Sequence, residues 1–105
     1  MTENELSNVI IGTAMDVHTE MGPGLLENVY KECLYYALSK EGFYVEKEKP
    51  MPVAFEDVTL NCGYRIDLLV ENKVIIEIKS LESLHDIHFA QMLTYLKLGN
   101  FKLGL

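Results

Sequence analysis

The stretch that most constrains this chain is residues 63–80, Gly-Tyr-Arg-Ile-Asp-Leu-Leu-Val-Glu-Asn-Lys-Val-Ile-Ile-Glu-Ile-Lys-Ser. Two alternating apolar runs flank the polar break Glu71-Asn72-Lys73, the pattern of a β-hairpin. Ile66, Leu68 and Val70 alternate on the first arm, and Val74, Ile76 and Ile78 on the second. All six share a face only if Val70 stands opposite Val74, because a slip of one residue turns one arm over. That register leaves a three-residue loop in which Asn72 or Lys73 could take the left-handed conformation. On the other face it sets Asp67 opposite Glu77 and Arg65 opposite Lys79, with opposed Cβ atoms roughly 5 Å apart.

Two facing carboxylates repel. At ~4 Å and an effective dielectric near 20 the interaction is about 4 kcal/mol. Such a pair needs a cation, a shared proton or a basic neighbour. Lys79 could pair with one of them, Lys79 and Arg65 together could ion-pair both, or a divalent metal could bridge them. Glu77 and Lys79 share a face roughly 7 Å apart along the strand. The β-branched run Val-Ile-Ile-Glu-Ile-Lys reads as a central strand buried on both faces at one end.

Around the hairpin, helical spacing of Leu6, Val9, Ile10, Thr13, Ala14, Val17 and Met21 predicts a helix over 4–21, ended by Gly22-Pro23-Gly24. A second helix is expected over 26–40, carrying Leu26, Val29, Tyr30, Cys33, Leu34, Ala37 and Leu38, with Gly42 as its cap. Residues 43–48 read as a strand, extended by Pro50 and Pro52 into edge structure that 53–55 continues; 58–62 reads as a short strand leading into the hairpin. Ser83 is a candidate cap for a third helix over 84–98, bearing Ile87, Phe89, Ala90, Leu93, Tyr95, Leu96 and Leu98 and ended by Gly99-Asn100. The start of a strand follows at 101–105. With 105 residues the chain makes one domain, of mixed α/β layers in the order α-α-β-β-β-β-α-β.

The remaining signals bound function. A net charge of −7 argues against broad charge-driven attachment to nucleic acid, though not against a local basic groove or a metal-bridged phosphate. No apolar run approaches a membrane span, and the N-terminus lacks the basic start of a signal peptide. Cys33 and Cys62 have no metal-type spacing and read as reduced core thiols of a cytoplasmic protein. Glu27 falls in the first turn of the second helix, where a carboxylate favours the helix dipole; three residues before Tyr30, it could also face inward. Gln91 and Tyr95, four apart, share a helix face and could reach back to the hairpin or to a phosphate, or be no more than core and border. His85 and His88 as a zinc pair would need further ligands, and His18 reads as structural or exposed. Two carboxylates can hold a hard cation, which lowers the pKa of bound water and neutralises charge on a phosphate, with a lysine alongside to stabilise the transition state.

Gly24-Leu-Leu-Glu27-Asn-Val-Tyr30 resembles the Gly-x-x-Glu-x-x-Tyr signature of the GxxExxY family. Arg65-Ile-Asp67 followed by Glu77-Ile-Lys79 resembles the D…ExK core of the PD-(D/E)XK nuclease superfamily, and Gln91-x-x-x-Tyr95 the Gln-x-x-x-Tyr element of its RecB-like branch. The resemblance spans about Val9 to Leu105. It implies a restriction-endonuclease-like core, a mixed sheet flanked by helices, and a Mg²⁺- or Mn²⁺-dependent nuclease that hydrolyses nucleic-acid phosphodiester bonds, with DNA ahead of RNA. By the same resemblance Glu27, Asp67 and Glu77 are metal ligands with the Ile78 carbonyl as a fourth, Lys79 is the catalytic lysine acting with Asp67 and Glu77, and Gln91 and Tyr95 position substrate. Family members run on past a strand like 101–105, so a last strand and helix are expected to be missing. The alternative is a nuclease fold kept as a non-catalytic nucleic-acid-binding or assembly module, dimeric through an exposed sheet edge.

Overall fold

The computed structural model of the chain describes residues 1–79 and 85–105. Helix α1 (Glu3–Met21) opens with a capping box: the Glu5 N–H donates to the Thr2 hydroxyl, and the Glu5 carboxylate accepts from the Thr2 N–H. Helix α2 (Glu27–Lys40) begins after the Gly-Pro-Gly break and ends in a Schellman motif. There the Phe43 N–H donates to the Leu38 carbonyl and the Gly42 N–H to the Ser39 carbonyl. Gly42 holds φ 96°, which a side chain would strain. Helix α3 (Asp86–Gly99) ends the same way, with Asn100 in the left-handed position and the Phe101 N–H bonded to the Leu96 carbonyl. The Ser83 cap lies outside the described residues; the described helix starts behind His85.

The strands are β1 (Val45–Pro50), β2 (Val53–Phe55), β3 (Val58–Leu60), β4 (Arg65–Val70), β5 (Val74–Ile76) and β6 (Leu103–Gly104). They form a four-stranded sheet in the order β1-β4-β5-β6 and a separate ribbon, β2-β3. The first sheet is mixed, antiparallel except for the β5–β6 pair. The expected order is short by one strand: residues 53–55 do not continue β1. The β1–β4 ladder ends at Pro50, Pro52 brings no N–H to prolong it, the Met51 N–H donates to the Tyr64 carbonyl, and β2 turns back on β3 through Glu56 at φ 53°.

Val70 pairs with Val74, the register that the apolar pattern demands. In the loop, Glu71 and Asn72 take the positive φ, not Lys73; the Lys73 N–H closes the turn on the Val70 carbonyl. The sheet separates two apolar clusters. On one face Leu68, Val70, Val74 and Ile76 pack with Leu6 and Ile10 of α1 and Leu34 and Leu38 of α2. On the other, Leu69 and Ile75 pack with Tyr95 of α3, Met51 and Ile66. Ile66 thus departs from the face expected for it. The Glu48–Asp67 position is missing from the β1–β4 ladder, Glu48 holds φ 53°, and the end of β4 beyond this irregularity joins the second cluster.

Three further expectations are corrected. The buried stripe of α2 is Lys31, Leu34 and Leu38, while Leu26 is exposed. On α3 only Tyr95 is buried; Ile87, Phe89 and Leu93 face outward. Cys62 is exposed in the loop before β4 and Cys33 is half-buried, so neither is a core thiol.

Candidate active site

The central feature lies where the β4–β5 ladder ends. The last paired residues are Leu68 and Ile76, three positions short of Lys79, where the second arm was expected to run on. Beyond them the two carboxylates cross. The Asp67 N–H donates to Glu77 Oε1 at 3.1 Å, and the Ile78 N–H donates to Asp67 Oδ2 at 2.9 Å. Each acidic side chain therefore satisfies a backbone donor on the opposite strand, which is why strand pairing stops here. On its far side Glu77 stays in register, its N–H bonded to the Leu105 carbonyl.

The charge on this pair is poorly compensated. The Glu77 carboxyl is pushed up to about 7, chiefly by burial, with repulsion and a side-chain hydrogen bond from Asp67 adding to the rise and the Asp67 N–H and Lys79 opposing it. Among the described residues the ion pairs are Lys31–Glu48, Lys47–Glu32 and Lys49–Glu46; neither Lys79 nor Arg65 takes part in one. The reading in which these two cations merely neutralise the carboxylates is not what the side chains do.

Behind the pair stands α3. The Tyr95 hydroxyl donates to the Arg65 carbonyl at 2.9 Å, and Gln91 Nε2 donates to that hydroxyl at 3.2 Å. Tyr95 thus reaches the hairpin directly and Gln91 only through it, while Tyr95 is also core and Gln91 its half-buried border. Burial and the nearby Glu77 charge raise the Tyr95 pKa, so the phenol stays protonated and keeps its donor role. Lys79, Glu77 and Gln91 line a pocket of about 150 Å³ together with His88, Phe89 and Met92. Gly104 forms part of its wall, where a Cβ would collide with the Met92 sulfur.

Glu27 is the first residue of α2 and is exposed. The Tyr30 hydroxyl donates to the Gly22 carbonyl and accepts from the Leu25 N–H, clasping the turn that carries Glu27. Among the described residues no three His, Cys, Asp or Glu side chains converge on a point that could hold an ion. The expected meeting of Glu27 with Asp67 and Glu77 is therefore absent, and so is a third ligand for a His85–His88 zinc site. Glu27 opens α2 one turn before the buried Lys31 and is exposed where Lys31 is not.

Two residues escaped the sequence reading. Lys31 is buried and bonded to Glu48 at 2.7 Å; its signal was a charge at helical spacing from Leu34 and Leu38. His88 was weighed as a zinc ligand, whereas it lines the pocket beside Lys79.

The donor set fits a divalent ion. Asp67 and Glu77 supply two hard oxygen ligands from adjacent strands, and Mg²⁺ is commonly held by one or two carboxylates with water and phosphate completing the shell. An ion there would also relieve the repulsion that raises Glu77.

The fold and this constellation define a nuclease-like α/β domain. A family model of the PD-(D/E)XK nuclease superfamily matches residues 4–105, nearly the whole chain, and the chain belongs to that superfamily. Membership implies nuclease-like function with nucleic acid as substrate. No curated protein and no solved structure matches the chain. None of the described helices is long and apolar enough to cross a membrane.

Proposed function

We propose that the protein is a Mg²⁺- or Mn²⁺-dependent nuclease that hydrolyses phosphodiester bonds, of DNA before RNA, within the GxxExxY and RecB-like groups of the superfamily. The observation that carries this reading is the crossed Asp67–Glu77 pair, half-buried, with no ion-paired cation among the described residues and with Glu77 held near neutrality. Asp67 and Glu77 would hold the ion, with the Ile78 carbonyl beside them. When bound, the ion lowers the pKa of a water and offsets charge on the phosphate. Lys79 stabilises charge developing on the phosphate oxygens. Tyr95 fixes the start of β4 through the Arg65 carbonyl, so Asp67 keeps its direction, and Gln91 holds the Tyr95 hydroxyl and borders the pocket. The alternative, a non-catalytic nucleic-acid-binding or assembly module, is not favoured: by itself it gives the repelling Asp67–Glu77 pair no complement.

Calorimetry with Mn²⁺ and cleavage of labelled DNA and RNA test the reading together. The wild type binds Mn²⁺ and Asp67→Asn does not; Lys79→Ala binds Mn²⁺ normally and loses cleavage by about 10²-fold or more. Equal cleavage by wild type and Lys79→Ala, or a wild type that binds no Mn²⁺, overturns it.

A further inference from the structure

His88 stands apart from the turn that carries it. Residues 85–87, 89 and 90 are exposed, whereas His88 is half-buried. Its Nδ1 accepts the His85 N–H at 3.0 Å. A backbone N–H can only donate, so Nδ1 is the acceptor and the ring's N–H lies on Nε2. With Nδ1 turned to the helix's own backbone, the Nε2–H is the one polar edge the ring has left to offer. His88 lines the same pocket as Glu77, Lys79 and Gln91.

The pocket limits the size of its ligand and, beside the Glu77 carboxylate, offers donors for an anion. At about 150 Å³ it falls below the roughly 300 Å³ at which pockets begin to enclose whole small molecules, and it suits a single group. Lys79 supplies a positive charge, Gln91 and His88 supply N–H donors, and the half-buried Met92 adds an apolar wall, while Phe89 is largely exposed. Hydrogen bonds to an anion gain strength in such surroundings.

We propose that His88 is a substrate-binding residue that donates its Nε2–H, beside the Lys79 ammonium, to the non-bridging oxygens of one backbone phosphate next to Glu77. The assignment rests on the nuclease reading above and adds a phosphate ligand to it. It replaces zinc coordination for His88, because the Nδ1 lone pair is already taken by the His85 N–H.

The test is fluorescence anisotropy with a short labelled single-stranded oligonucleotide, in DNA and RNA form. Ca²⁺ serves as the divalent ion, so that binding is read without activity, and Mn²⁺ calorimetry is run on the same proteins. His88→Phe is expected to weaken oligonucleotide binding about tenfold or more, the effect of losing a hydrogen bond to a charged group. His88→Gln, whose amide can place a donor near the Nε2 position, is expected to recover most of that loss. Both variants keep wild-type Mn²⁺ affinity. Unchanged oligonucleotide affinity in His88→Phe with Mn²⁺ binding intact overturns the His88 assignment alone. Loss in both variants, tracking an equal fall in melting temperature, assigns His88 to the fold and overturns it too. A wild type that binds no Mn²⁺ overturns the nuclease reading itself.

Discussion

Two charged pairs sit on neighbouring strands of the same sheet and are opposite in kind. On β1, Glu48 meets the buried Lys31 of α2 at 2.7 Å, and hydrogen bonding to that lysine holds the Glu48 carboxyl below the usual carboxylate range. On β4 and the segment after β5, Asp67 meets Glu77, and burial pushes Glu77 up to about 7. Glu48 occupies the ladder position that would face Asp67, so the two pairs are separated by a single strand spacing. The fold therefore has the means to compensate a buried charge from its own residues and uses them for one pair only. Where charge serves packing, the partner comes from the chain. Where a like-charge pair is left without one, a ligand is the natural complement.

The contrast is sharpened first by metal. If Asp67–Glu77 is the open pair, Mn²⁺ at about one hundred times its dissociation constant stabilises the folded state by about 2.7 kcal/mol. For a domain of this size that is a rise in melting temperature of roughly 10–20 °C. Asp67→Asn abolishes the rise and Lys31→Met leaves it intact. An equal rise in Asp67→Asn would place the ion elsewhere and break the comparison.

The next effect is in pH. Folded Glu77 keeps its proton to about 7, against 4.5 for an ordinary glutamate, so between those values the folded chain binds more protons than the unfolded one. The favourable contribution of the protonated group is complete below about 4.5 and is lost as pH rises through 7. Wild-type stability in metal-free buffer should fall over that window through this group. Glu77→Gln keeps an oxygen for the Asp67 N–H, removes the slope, and at pH 8 is more stable than wild type by about 1–2 kcal/mol after allowance for solvent screening. Denaturant titrations across the window read this directly; a variant that is less stable at pH 8 would mean that the Glu77 charge is already compensated.

Much of this was legible in the chain before any coordinates. Six apolar positions in the hairpin admitted one register, and that register alone set Asp67 against Glu77. Both Schellman endings followed from Gly42 and Asn100, whose backbones bear positive φ at little cost. That Gln91 and Tyr95 share a face and bond each other followed from their helical spacing; the Tyr95 bond to the Arg65 carbonyl was one of several outcomes that spacing allowed. What failed depended on contacts that periodicity does not encode. An apolar stripe does not reveal that a lysine joins it, as Lys31 does, because the partner Glu48 lies 17 positions away. A run of alternating residues does not reveal that side chains will replace backbone pairing, as they do at Asp67 and Glu77. The left-handed Glu48 that removes a ladder position and turns Ile66 to the other cluster has no local signal, since glutamate seldom adopts that conformation. The apolar residues Ile87, Phe89 and Leu93 share a helix with Tyr95 yet point away from it, and helical spacing does not say which face of a stripe meets the sheet.

The smallest effect is expected at the compensated pair, and its smallness is the point. Lys31→Met keeps the packed stem over the sheet and removes the buried ammonium, together with the desolvation that the ammonium imposed. Glu48 is left without its cation, but its side chain is half-exposed and water can take the lysine's place. The two changes oppose each other, so the melting temperature at neutral pH should move by less than about 5 °C. The Glu48 carboxyl should then titrate nearer its ordinary value. The stability it lends above 4.5, lost in the wild type as pH falls through its lowered value, should disappear with the lysine. Mn²⁺ affinity should not change. A Lys31→Met protein that unfolds, or that no longer binds Mn²⁺, would make the Lys31–Glu48 pair part of the metal site's support and erase the distinction between the two pairs.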